Sequence, residues 1–112
     1  EAEAMTLDEY RMALAARAKV QALYATLAGL ADGCITLAAS AAAPVGLRST
    51  GSALFAVTSS MLCAPSLSLP VLQDDNLPLG LQVIGFDNRD AEAFAIAGAI
   101  MNTTDTGRAI RA

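Results

Sequence analysis

The 112-residue chain has no histidine and no tryptophan, a single lysine, and only two cysteines. Without histidine neither a Ser-His-Asp nor a Cys-His arrangement can be assembled, and the commonest side-chain ligand of transition metals is missing. Positive charge is scarce too. Seven Lys and Arg stand against eleven Asp and Glu, giving a net charge of −4 and a pI near 4.5, with no basic cluster to neutralise phosphates, so nucleic-acid binding is not expected. Long hydrophobic runs are also absent. Arg11, Arg17, Lys19, Asp32 and Arg48 interrupt the N-terminal half before about 18 consecutive apolar residues accumulate, so no membrane span is expected. No substrate, cofactor or metal is indicated by these counts.

What is present is apolar: 54% hydrophobic residues against 16% charged ones, enough for one domain with a core to bury. Glu1-Ala2-Glu3-Ala4 look like the remnant of a yeast secretion leader, pointing to recombinant secretion, and Met5 reads as a native start. No signal-peptide pattern follows Met5, so the expected native compartment is cytoplasmic. The expected organisation is a leader remnant over 1–4, one domain over 5–102, and a polar, aperiodic, flexible tail over 103–112.

Thr6-Leu7-Asp8-Glu9 is a capping box, in which Thr6 and Glu9 each satisfy the other's backbone amide. Leu7, Tyr10 and Leu14, continued by Val20, Leu23, Leu27 and Leu30, predict a long amphipathic helix with one apolar stripe, ending between Gly29 and Gly33. Cys34 to Ala38 reads as a buried strand, Ala39 to Gly51 as a small-residue stretch and loop broken by Pro44. A second helix, capped by Thr50 or Ser52 and packed through Leu54, Val57, Met61 and Leu62, runs up to Pro65. Two apolar runs follow, Pro65 to Leu72 and Leu77 to Gly85, around a polar hinge Gln73-Asp74-Asp75-Asn76. The first alternates; the second is apolar nearly throughout and reads as central.

A strand, a helix and another strand form a βαβ unit, which predicts parallel pairing of Ile35–Ala38 with Ser66–Leu72 through a right-handed crossover. Ser66–Leu72 and Leu79–Gly85 have too short a connection for a crossover and are expected to be antiparallel neighbours. A third helix is predicted with Asp87 or Asn88 as cap, Asp90 and Glu92 in its first turn, Phe94, Ala97 and Met101 on its packing face, and Asn102 at its end. The fold class is α/β: a small mixed sheet of three to four strands with a long N-terminal helix, a crossover helix and a C-terminal helix.

Taken in order, Tyr10, Ala13 and Arg17 on a helix, then Asp32, Ala43-Pro44, Thr50-Gly51, Ala64-Pro65-Ser66-Leu67-Ser68-Leu69-Pro70, Leu77-Pro78-Leu79-Gly80-Leu81-Gln82-Val83-Ile84-Gly85 and Asp90 resemble the C-terminal part of amidase-signature enzymes. That family includes fatty-acid amide hydrolases, malonamidases and the A subunit of the glutamyl-tRNA amidotransferase. The resemblance covers Tyr10 to Met101. It departs at Leu37-Ala38-Ala39-Ser40, where a Thr-Pro pair is usual, at Ala64 in place of a Gly, and after Pro70. The resemblance implies carbon–nitrogen hydrolase descent, whereas the family's Ser-Ser-Lys machinery belongs to portions outside this match, so little or no amidase activity is expected of the chain alone. Two alternatives stand beside it, a non-catalytic binding or scaffold module and a small hydrolase using carboxylates on glycosides or esters.

The residues that could carry chemistry have ordinary readings as well. Thr58-Ser59-Ser60 falls inside a predicted helix, where hydroxyls bond back to their own backbone. Asp74 and Asp75 could converge with Asp87 and Asp90 as paired carboxylates, or belong to a hairpin loop and a helix start. Gly80 and Gly85 suit close backbone approach, not a phosphate loop. Cys34 and Cys63 each precede a strand, so they could meet at one sheet end, although free thiols are the expected state in a reducing compartment. No catalytic residue is assigned. The first helix carries a stripe longer than a small sheet can cover, which predicts a homodimer with that helix as the preferred contact.

Overall fold

The computed structural model describes residues 4–104 and 110–111, the last two in backbone only. Its elements are α1 (Leu7–Ala25), a 3-10 turn (Thr26–Gly29), β1 (Cys34–Leu37), α2 (Leu54–Leu62), β2 (Ser66–Asp74), β3 (Leu77–Ile84), α3 (Asp90–Thr103) and β4 (Ile110–Arg111). The strands form one mixed sheet in the order β1-β3-β2-β4. β3 runs antiparallel to both β1 and β2, and β4 pairs in parallel with Leu72 and Gln73 of β2. The α/β class, the long first helix and the antiparallel β2–β3 pair match expectation.

The βαβ pairing does not. β1 and β2 point the same way and α2 lies between them in sequence, but β3 sits between them in space, setting Cys34 and Ser66 on either side of Ile84. β3 is apolar along most of its length because it has a neighbour on each edge. The hairpin is also tighter than the polar hinge suggests. Gln73 pairs with Pro78 and Asp74 with Leu77, leaving a two-residue turn in which Asp75 and Asn76 both take positive φ, 48° and 58°. Such turns match the right-handed twist of the strands they join. One extra residue on β2 between Leu69 and Leu72 makes a bulge at Pro70, where proline has no amide to offer the ladder.

Side chains alternate across the sheet, which separates two unlike faces. Leu69, Val71, Val83 and Ala97 form the core, with Leu72, Leu81, Ile96 and Ile100 packed against it, so α3 covers this apolar face. Phe94 and Met101 stay exposed, at 64% and 40%. The packing face of α3 is instead Ala93, Ile96, Ala97 and Ile100, because Ala93 and Gly85 must pass closely. A Cβ on Gly85 would lie 2.8 Å from that of Ala93. The helix starts one residue later than expected: Asn88 has a φ of 57°, and Arg89 is the cap without a side-chain bond to the helix. It runs on through Thr103, and β4 likewise falls within the stretch expected to be a tail. The leader remnant Glu1–Glu3, residues 105–109 and Ala112 lie outside the described residues.

The opposite face carries Thr36, Ser66, Ser68, Gly80 and Gln82 and meets α2 and α1. Here the helices are turned against expectation. α2 buries Ser59 and leaves Leu54 and Val57 exposed; Ser52 Oγ does accept from the Leu54 amide, at 3.3 Å, one residue ahead of the cap, Ala53. The first helix opens with the expected capping box. Its apolar residues nevertheless do not form one stripe, since the step from Leu14 to Val20 turns the helix by about 240°. Arg17, Gln21, Tyr24 and Ala28 face the domain at half-burial, and Val20, Leu23, Leu27 and Leu30 lie on the outside.

Candidate functional site

The buried polar centre of the molecule is Gln82. It is 5% exposed, and β3 aims it away from the apolar core towards α2. Its Nε2 donates to Ser59 Oγ at 3.1 Å and to Ser66 Oγ at 2.6 Å. Ser59 Oγ in turn donates to the Ala56 carbonyl at 3.2 Å. The Gln82 Oε1 is buried with no partner among the described residues. One amide therefore bridges the start of β2, the centre of β3 and the last turns of α2. No periodic signal marks this role, because Gln82 interrupts an apolar run without altering its strand character.

Around this bridge α1 is attached by polar side chains. Arg17 Nε donates to the Met61 carbonyl at 2.9 Å, its Nη2 to the Ser60 carbonyl at 3.3 Å and to Cys63 Sγ, and Gln21 Nε2 to the Met61 carbonyl at 3.1 Å. These carbonyls form the C-terminal end of α2, where free acceptors and the helix dipole both favour a cation. Cys63 closes that helix in the left-handed region at φ 54°. One turn further along α1, Tyr24 Oη approaches the Ile84 and Gly85 carbonyls, each at 3.1 Å. Its ring lies 5.0 Å from that of Phe86. Burial, followed by the neighbouring Cys34 thiol, pushes the Tyr24 phenol above its ordinary pKa.

No known protein family, curated protein or solved structure matches the chain.

The candidate residues are not brought together into a reacting set. Asp74 and Asp75 lie at the β2–β3 turn, and Asp87 and Asp90 follow the far end of β3, a strand of eight residues that spans roughly 25 Å. Asp74 accepts from the Ala42 amide at 2.7 Å, which pins the small-residue loop. The paired-carboxylate arrangement is thus lost to geometry. Thr58 donates to the Leu54 carbonyl at 3.3 Å, the ordinary helical back-bond. Cys34 and Cys63 are both free, with β3 interposed between β1, which Cys34 begins, and β2, which follows Cys63. No group of three metal-ligating side chains is found among the described residues, and no described helix is long and apolar enough to cross a membrane.

One open cleft of about 500 Å³ lies between the loop Ala39–Ser52 and the start of β3, lined by Ala42, Pro44, Ser49, Thr50 and Gly80 among others. None of its lining side chains ionises, so it offers hydroxyls and backbone groups without an acid or a base. Gly80 forms part of its floor, and a Cβ there would overlap Ser68 Oγ and come within 2.7 Å of Ala38 Cβ.

Proposed function

We propose that the chain is a non-catalytic docking module of amidase-signature descent, a carbon–nitrogen hydrolase by ancestry that turns over no amide by itself. Three residues that carry the resemblance occupy positions where little else fits, and this supports the descent. Gly80 passes against Ser68 and Ala38, Gly85 against Ala93 and Pro65, and Gln82 bridges two strands and a helix. The observation that carries the docking role is the turned-out apolar surface. Leu23, Leu30, Leu54, Val57 and Phe94 are all more than half exposed on helices whose inward contacts are partly or wholly polar or alanine-sized. They are the side chains that a docked partner would cover. A second copy of the chain is the partner we put first, and its free thiols suit a reducing compartment such as the cytoplasm.

The test is a hydrolysis screen on simple aryl and alkyl amides with the purified chain. No turnover above buffer is expected. Turnover above buffer would overturn the non-catalytic reading, and Ser59→Ala and Ser60→Ala would show whether those hydroxyls carry it.

A further inference from the structure

The last turn of α3 holds a modification motif. Asn102-Thr103-Thr104 reads Asn-x-Thr with no proline at the middle position, the tripeptide to which N-linked oligosaccharide is transferred. No second copy of it exists. The other two asparagines are followed by Leu77-Pro78 and by Arg89-Asp90, so neither Asn76 nor Asn88 has a hydroxyl two residues on. The fold then decides where Asn102 points. It lies nine residues after Ala93, about two and a half turns at 3.6 residues per turn, which sets it on the side of α3 opposite the buried Ala93 and Ala97. Asn102 and Thr103 are exposed and Thr104 is half-buried. One turn earlier on the same side, a Cβ built on Gly98 would meet nothing within 4 Å, so there is room for a large substituent.

We propose that Asn102 is an acceptor for an N-linked glycan, used whenever the chain passes through the endoplasmic reticulum of a eukaryotic cell. The donor is a lipid-pyrophosphate-linked oligosaccharide whose first sugar is N-acetylglucosamine. Asn102 Nδ2 bonds to the anomeric carbon of that sugar and loses one proton, while the bond from that carbon to the pyrophosphate oxygen breaks and the lipid pyrophosphate leaves with the electron pair. Nothing is oxidised or reduced. Thr104 is the recognition residue, because the transferase requires a hydroxyl two places after the asparagine. In the folded chain that hydroxyl donates to the Ile100 and Met101 carbonyls, at 3.1 and 3.3 Å, so the tripeptide is engaged before this last turn closes or as it frays. Glu1-Ala2-Glu3-Ala4 look like what a yeast secretion leader leaves, and such a leader is the route to that enzyme. A chain made in the cytoplasm meets no such donor, so the site stands apart from the docking role.

The test is translation of the full chain behind a cleavable secretion leader in the presence of eukaryotic microsomes, scoring only the chains that the membrane protects from added protease. Protected chains are expected to run above the 11.4 kDa of the unmodified chain and to return to it on treatment with peptide N-glycosidase. Asn102→Gln and Thr104→Val each abolish the shift, whereas Thr103→Val and Thr104→Ser retain it at least in part. Because the glycan faces away from the sheet, the protein secreted from yeast melts at the same temperature before and after that treatment. Protected chains at the unmodified mass, or a shift that survives Asn102→Gln, overturn the proposal; a melting temperature lowered by the glycan overturns the outward placement of Asn102.

Discussion

Replacing Gly85 by alanine tests whether the end of β3 is as tightly boxed as the structure requires. The new methyl would sit 2.8 Å from Ala93 Cβ and 3.0 Å from Pro65 Cγ, both well inside ordinary carbon–carbon contact. Neither neighbour yields easily. Pro65 is rigid, and its carbonyl accepts from the Gly85 amide at 2.8 Å; Ala93 is fully buried in the first turns of α3. Overpacking of this kind costs about 1–3 kcal/mol. For a domain near this size each kilocalorie lowers Tm by roughly 4–8 °C, so thermal unfolding followed by circular dichroism should fall by several degrees at least. Ala93→Gly removes the closest of the two clashes. Made alone it destabilises through helix propensity, by about 1 kcal/mol, but in the double variant the two effects should fall short of additive by about 0.5 kcal/mol or more. Additive losses, or a Gly85→Ala variant as stable as the parent, would mean that α3 does not press on β3 where the structure puts it.

Gly98 is the contrasting case: a Cβ there meets nothing within 4 Å, so Gly98→Ala should stabilise α3 by about 0.5–1 kcal/mol in urea unfolding, and a loss would refute that open surround. Tyr24→Phe should cost about 0.5–1.5 kcal/mol by removing the hydroxyl from the Ile84 and Gly85 carbonyls. Because the folded phenol titrates above its ordinary 10.0, the unfolded chain releases that proton first as pH rises, and the tyrosine's contribution is lost above pH 10. The phenylalanine variant should lack that part of the alkaline fall; an identical pH profile for both proteins would contradict a buried Tyr24 hydroxyl.

Local chemistry was the legible part of this sequence. Thr6 and Glu9 specify their capping box in four residues, and the Asp-Asn turn lies at the centre of the polar hinge, although Gln73 and Asp74 looked like loop because strand ends next to a turn tolerate polar residues. The neighbour of β1 is written in the sequence through the character of β3. A strand as apolar as Leu77–Ile84 needs partners on both edges, whereas the βαβ rule assigned β1 to β2 on connection length alone. The helical faces were harder. Leu, Val and Tyr spaced by three or four imply a buried stripe only if the interior is apolar, and the interior that α1 and α2 meet is the polar side of the sheet, where Arg17, Gln21 and Ser59 find acceptors or donors. Gln82 could have been noticed as the one polar residue in a central strand, which demands a buried partner. Which partner it has depends on how α2 returns over the sheet, and no local pattern encodes that.

The placement of β3 between β1 and β2 also sets an order of events during synthesis. β2 finds its partner across a two-residue turn, a contact that forms within microseconds once both strands exist. β1 has no such neighbour in sequence, since Leu37 and Leu81 are 44 positions apart and Cys34 and Ile84 are 50. At about 5–20 residues per second the ribosome takes roughly 2–10 s to deliver the partner. For that interval the Cys34-Ile35-Thr36-Leu37 segment is an unpaired β-forming stretch on a nascent chain, and chaperone binding or aggregation during expression should concentrate there.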